Sequence, residues 1–125
     1  MRKILIVDDE MDALLMLEKR LVAEGYSVIT ATNGTDAIAL AKSQRPDLII
    51  LDIVMPDIGG GEVAGWLKAV PETKNIPVIF LTALLSKTEE HRENHVITGN
   101  TFAKPPDTEE LLAYIKRLLC NVTTS

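Results

Sequence analysis

Five short apolar runs, at 3–7, 27–31, 47–51, 77–81 and 100–103, are separated by longer stretches whose apolar residues recur with helical spacing. That alternation constrains the chain more than any other feature. The runs are rich in Ile, Leu and Val without polar alternation, as in parallel strands covered on both faces. Between them, Leu14, Leu17 and Leu21 share one face of a first helix that stops at Gly25. Leu111, Leu112, Ile115, Leu118 and Leu119 form the stripe of a last helix. Ser86 stands three residues before Glu89, and Asp107 three before Glu110, so each pair can satisfy open amides at a helix start. Repeated strand–helix units of this kind wrap a parallel sheet with helices on both faces, an α/β architecture. No repeat, charge block or linker interrupts the pattern, so residues 1–121 read as one domain and 122–125 as a short polar tail.

With 125 residues, 46% of them apolar and 25% charged, the chain can bury a core without disulfides or a structural metal. Cys120 is its single cysteine, which suits a reducing compartment and rules out a thiolate metal cluster. The net charge of −5 repels a phosphate backbone, so direct nucleic-acid binding is not expected. After Arg2 and Lys3 only Ile4 to Val7 are apolar before Asp8, Asp9 and Glu10, too short a run for a signal peptide. No run reaches the ~18 apolar residues of a membrane span. A soluble, cytoplasmic protein is expected.

In a doubly wound sheet the carboxyl ends of the parallel strands lie along one edge. Asp8 and Asp9 follow the first run and Asp52 the third, so three carboxylates are expected to converge there. Such a set repels itself unless a proton or a cation offsets it, and oxygen donors with room for water suit a hard ion such as Mg2+. Any of these acids alone would read as a helix cap. Thr82 and Lys104 shift that balance, because they close the fourth and fifth runs and bring a hydroxyl and an ammonium to the same edge. A nucleophilic carboxylate, a metal site and donors for phosphoryl oxygens together describe an aspartyl-phosphate site centred on Asp52.

Over essentially its whole length the chain resembles the receiver domain of two-component response regulators. Four separated motifs carry the resemblance: Val7-Asp8-Asp9-Glu10; Leu51-Asp52-Ile53-Val54-Met55-Pro56 with Gly60 beyond it; Leu81-Thr82-Ala83; and Lys104-Pro105. The resemblance implies a flavodoxin-like sheet of five parallel strands in the order 2-1-3-4-5. It implies that Asp52 accepts a phosphoryl group from a phosphohistidine, with Asp9 and Asp52 holding Mg2+ directly and Asp8 through water. The Val54 carbonyl would be a further ligand, Lys104 and Thr82 would contact the phosphoryl oxygens, and Ala83 would offer its amide. The implied partners are a sensor histidine kinase or phosphotransfer protein, and a downstream protein met by the last two helices and last strand. A homodimer formed on phosphorylation also belongs to this expectation; membrane binding does not.

The chain departs from the family pattern in places. The position three before the lysine, usually aromatic, is Thr101, while Phe102 stands one residue closer and reads as core rather than as a moving switch. The stretch from Glu93 to Gly99 lacks a Gly-Ala pair before the last strand and is expected to be irregular. Val54 and Leu84, each two positions beyond a site residue, are apolar and cannot orient water, so a long-lived aspartyl phosphate is expected. An unchanged dephosphorylation rate in Val54→Asn would remove that expectation. His91 and His95 read as an exposed pair without a third zinc ligand, and Gly59, Gly60 and Gly61 as a flexible helix start rather than a phosphate cradle. Trp66 reads as packing, and Met11, Met16 and Met55 as gap fillers.

Rival functions fit less well. A haloacid dehalogenase-type phosphohydrolase needs an acid where Val54 stands, and a flavodoxin-type flavin site needs a Ser, Thr and Gly-rich loop where Asp8, Asp9 and Glu10 stand. A receiver-like adaptor working without phosphorylation would not need the acid, threonine and lysine set. The expected role is therefore a phosphoacceptor signalling domain, assisting only its own phosphorylation and slow dephosphorylation, and not an enzyme.

Overall fold

The computed structural model describes residues 2–53, 57–82, 96–98, 101–103 and 108–123. In chain order the elements are β1 (Lys3–Val7), α1 (Met11–Ala23), β2 (Ser27–Ala31), α2 (Gly34–Gln44), β3 (Leu48–Asp52), α3 (Gly60–Ala69), β4 (Val78–Thr82), β5 (Val96–Thr98), β6 (Thr101–Ala103) and α4 (Thr108–Thr123). The strands order as β2-β1-β3-β4-β6-β5. The first five of these run parallel, which is the expected 2-1-3-4-5 arrangement with a short antiparallel strand added at the edge.

Continuous apolar runs arise because both sheet faces are covered. Ile4, Ile6, Leu48, Ile50, Ile79 and Leu81 point to one side and pack with Leu14 and Leu21 of α1 and Leu111 and Ile115 of α4. Leu5, Val7, Ile49 and Leu51 alternate to the other side, against Ala37 and Ala41 of α2 and Val63, Ala64 and Leu67 of α3. Every residue of β1 after Lys3, and every residue of β3, is buried.

Some boundaries move. β3 begins at Leu48, because Asp47 serves as a turn residue whose carboxylate accepts from the Lys3 amide at 2.8 Å and faces the Arg2 guanidinium at 3.6 Å. β4 begins after Pro77, which has no amide to give the ladder. Both strands gain a residue at the other end, so Asp52 and Thr82 lie in the sheet rather than just beyond it. The region expected to be irregular holds β5, whose Val96 and Thr98 pair antiparallel with Phe102 and Thr101 across a register shift, an irregularity of the expected kind. Its Val-Ile-Thr sequence is β-branched throughout, a good fit to an extended edge. α4 runs to Thr123.

Phe102 is core, as expected, at 0% exposure and with its ring 5.5 Å from that of Tyr114. Three packing expectations are corrected. Trp66 is 55% exposed, because the inward stripe of α3 runs through Gly60, Val63, Ala64 and Leu67 and Trp66 falls beside it. Met16, at 73% exposure, lies on the outer side of α1 away from Leu14 and Leu21, and Met11 at the start of that helix is exposed too. Met55, His91, His95 and the helix starts expected at Ser86 and Asp107 lie outside the described residues.

Candidate functional site: an acidic group at the carboxyl edge of the sheet

β1 and β3 are direct neighbours, with Val7 opposite Leu51, so the residues that end them come together. Asp8 follows β1 and is 3% exposed; Asp52 ends β3 and is 4% exposed. The Asp8 amide continues the ladder by donating to the Ala31 carbonyl at 3.1 Å. Its carboxylate accepts from the Glu10 amide at 2.9 Å, which turns the chain into α1. The Glu10 side chain makes no capping bond to its own helix. Instead, carboxylate oxygens of Asp8, Glu10 and Asp52 lie within 4.8 Å of one another.

The structure thus brings Asp8 and Asp52 together as expected, but the third acid beside them is Glu10. Asp9 is exposed and is not part of that group. Sequence reasoning passed over Glu10, although one signal was present: Glu is a poor N-cap where Ser, Thr, Asp or Asn is the usual choice, which marks a helix start whose side chain has other work. Thr82 ends β4, one position beyond Leu81, which stands opposite Asp52. Thr82 in turn pairs with Ala103, the residue before Lys104, so these strand ends belong to the same edge of the sheet. Val54, Ala83, Leu84 and Lys104 lie outside the described residues.

Ile53 and Gly60, either side of the connection from β3 into α3, are held together. The Ile53 amide donates to the Leu81 carbonyl at 2.9 Å, and the Ile53 carbonyl accepts from the Gly60 amide at 2.8 Å. A Cβ on Gly60 would stand 2.5 Å from the Asp52 carbonyl oxygen, so only glycine lets α3 approach the site this closely. Gly60 is therefore a close-contact residue, not simply a flexible start. Asp57 lies farther along the connection and accepts from the Gly34 amide at 2.9 Å, the Thr35 amide at 3.0 Å and the Thr35 hydroxyl at 2.7 Å. The bonds from the Gly34 amide, the Thr35 hydroxyl and the Ile58 amide hold its carboxyl well below the usual carboxylate range.

Three carboxylates within reach of one ion, two of them buried, form an all-oxygen donor set that suits a hard divalent cation. Soft or thiolate chemistry has no donor in the group.

The chain matches the response regulator receiver domain over residues 4–116. It is 35% identical over 118 residues to the polar-differentiation response regulator DivK of Brucella anthropi, covering 94% of this chain and 96% of DivK. Among solved structures, the signal receiver domain of a signal transduction histidine kinase from Syntrophus aciditrophicus aligns with a TM-score of 0.84 at 34% identity, covering 100% of this chain and 95% of that one. The response regulator protein TrrA from Thermotoga maritima, solved in complex with Mg(2+)-BeF, aligns with a TM-score of 0.77 at 36% identity, covering 94% and 99%. Matching sequence along nearly all of its length and sharing the strand order and acidic edge described above, this chain belongs to the receiver domain family of response regulators.

Proposed function

We propose that this receiver domain is a phosphorylation-controlled switch in which Asp52 takes a phosphoryl group from a phosphohistidine on a histidine kinase or phosphotransfer protein. The observation that carries this reading is the placement of Asp52 itself. It ends a central strand, nearly buried, within 4.8 Å of two further carboxylates. A carboxylate oxygen of Asp52 attacks phosphorus, an acyl phosphate O–P bond forms, the P–N bond breaks, and the electron pair leaves on the imidazole nitrogen.

Asp8 and Asp52, which lie together with Glu10, are proposed Mg2+ ligands; the family likeness adds the neighbouring, exposed Asp9 and the Val54 carbonyl to the proposed set. The similar TrrA, solved with Mg(2+)-BeF, supports that choice of ion. When bound, Mg2+ would offset the charge on the phosphoryl oxygens and on the crowded acids. Lys104 and the Thr82 hydroxyl are proposed to bind the phosphoryl oxygens, with the Ala83 amide as a further donor. The new contacts shift a two-state equilibrium and change the surface of the last two helices and last strand, where a downstream partner or a second copy binds. The output is binding, not turnover of a metabolite, and a kinase-borne phosphohistidine places the domain in the cytoplasm. No helix among the described residues is long and apolar enough to cross a membrane.

Incubation with Mg2+ and a small acyl phosphate, followed by intact mass measurement, tests the reading. Wild type gains the mass of one phosphoryl group, and Asp52→Asn gains none. A gain that persists in Asp52→Asn removes Asp52 as the acceptor. No gain in wild type from either the small donor or a phosphohistidine protein leaves the adaptor without phosphorylation as the better reading.

A further inference from the structure

Two side chains from different parts of the chain hold the start of α2. Asn33 is local: its side-chain oxygen accepts from the Asp36 amide at 2.8 Å. Asp57 comes from the connection between β3 and α3 and accepts from the Gly34 amide, the Thr35 amide and the Thr35 hydroxyl. Packing reinforces the second attachment, since a Cβ on Gly34 would stand 2.9 Å from Ile58 Cβ and 2.9 Å from Val63 Cγ2. A helix start leaves four amides open; Asn33 satisfies that of Asp36, whereas those of Gly34 and Thr35 are satisfied by Asp57, which comes from another part of the chain. The three bonds to Asp57 therefore do something besides start a helix: they pin the segment 57–60 to α2.

That segment leads directly to the acidic group. Gly60 is three residues beyond Asp57, its amide holds the Ile53 carbonyl at 2.8 Å, and its α-carbon lies against the Asp52 carbonyl. A shift of a few tenths of an ångström at Asp57 is passed along the short backbone 57–60 to the residue that carries the buried carboxylate. The chain has no slack to absorb it, because each peptide unit has a fixed length and Gly60 is already in close contact.

We infer that Asp57 is a positioning residue for the phosphoacceptor site, clamping the β3–α3 connection to the start of α2 so that Asp52 is held where the divalent ion needs its oxygens. The inference rests on the reading of Asp52 as a phosphoacceptor beside Mg2+. Asp57 stays ionised at neutral pH because its hydrogen bonds favour the charged form, so the clamp is permanent rather than switched by ordinary changes of pH. Outer groups that orient a metal ligand typically change affinity by about 10–100-fold when removed.

The experiment compares Asp57→Ala with Asn33→Ala, both of which weaken the start of α2 while only the first releases the connection. Mg2+ alone is titrated calorimetrically into wild type and both variants, and urea midpoints are recorded in parallel. Both variants lose midpoint; Asp57→Ala binds Mg2+ about tenfold more weakly, and Asn33→Ala binds as wild type does. Asp57→Asn, which keeps an acceptor oxygen, recovers part of the affinity. Should Asp57→Ala fail to fold, Thr35→Val removes only the hydroxyl bond and still weakens Mg2+ binding. Wild-type affinity in Asp57→Ala overturns the inference, and so does an equal loss in Asn33→Ala, which would make helix stability the whole cause. Absence of Mg2+ binding in wild type, or unchanged binding in Asp52→Asn, instead removes the underlying reading and the inference with it.

Discussion

α1 and α2 begin at the same edge of the sheet, after neighbouring strands, and their starts are built in opposite ways. At α2, Asn33 caps the Asp36 amide and Asp57 takes the Gly34 and Thr35 amides, so a charged group faces the positive end of the helix. At α1, Glu10 occupies the cap position without capping, and its carboxylate joins Asp8 and Asp52. One start gives its carboxylate to the acidic group, and the other is capped by a residue that leads back toward that group. The difference teaches where this fold tolerates local cost: beside the site, like charges are crowded and a cap is forgone, while the adjoining helix start is capped from two parts of the chain.

Four variants test that contrast. The largest effect is expected from Gly34→Ala, which forces a Cβ to within 2.9 Å of Ile58 and Val63 in the secured start. Overpacking costs about 1–3 kcal/mol, and at the first helical residue the ~1 kcal/mol propensity gain of a helix interior is only partly realised, so urea denaturation should show a net loss of about 1–2 kcal/mol. A neutral outcome would mean the two segments pack loosely. Next, Asn33→Ala removes the local cap and should cost about 1 kcal/mol in the same measurement. At the other start the sign reverses. Glu10→Ser supplies a cap and removes one of three crowded carboxylates, so in metal-free buffer it should stabilise by about 0.5–1 kcal/mol while reducing the extra stability that Mg2+ confers. If Glu10→Ser destabilises without metal, the interactions Glu10 makes outweigh the repulsion among the three carboxylates.

The smallest effect lies in pH. The Asp57 carboxyl is held below its ordinary value of 3.8 in the folded chain, so below that value the unfolded chain takes up a proton that the folded chain does not. The stability it contributes is complete above the ordinary value and is lost as pH falls toward the folded one. Asp57→Asn should therefore lower the urea midpoint most at neutral pH, with the gap to wild type narrowing below about pH 4. A gap independent of pH would show that the charge of Asp57 does not matter.

Much of this molecule could be read before its structure was known, and the reasons differ from residue to residue. Leu14, Leu21, Leu111 and Ile115 were legible because helical periodicity exposes an inward stripe, and β1 and β3 because two-sided burial demands uninterrupted apolar residues. Phe102 was legible as core for the same reason. Trp66 was misjudged from its helical spacing to Val63 and Val70, and Met11 and Met16 from side-chain type, whereas a helix buries only the face turned to the sheet. β5 was missed because an edge strand of three residues leaves too little pattern to recognise. At the site, Asp8 and Asp52 followed from their positions at strand ends, but Glu10 was taken as part of a motif rather than as a member of the acidic group.

By itself the sequence determined the doubly wound sheet, the edge at which acids collect and the acid that ends its third strand. These depend on the order of apolar and polar residues along the chain. Only the tertiary structure decided that Glu10 turns toward Asp8 and Asp52, and that Asp57 reaches back across the fold to Gly34 and Thr35. A carboxylate acts through whatever lies within a few ångströms of it, and neighbours more than twenty residues away in sequence are chosen by how the helices settle on the sheet.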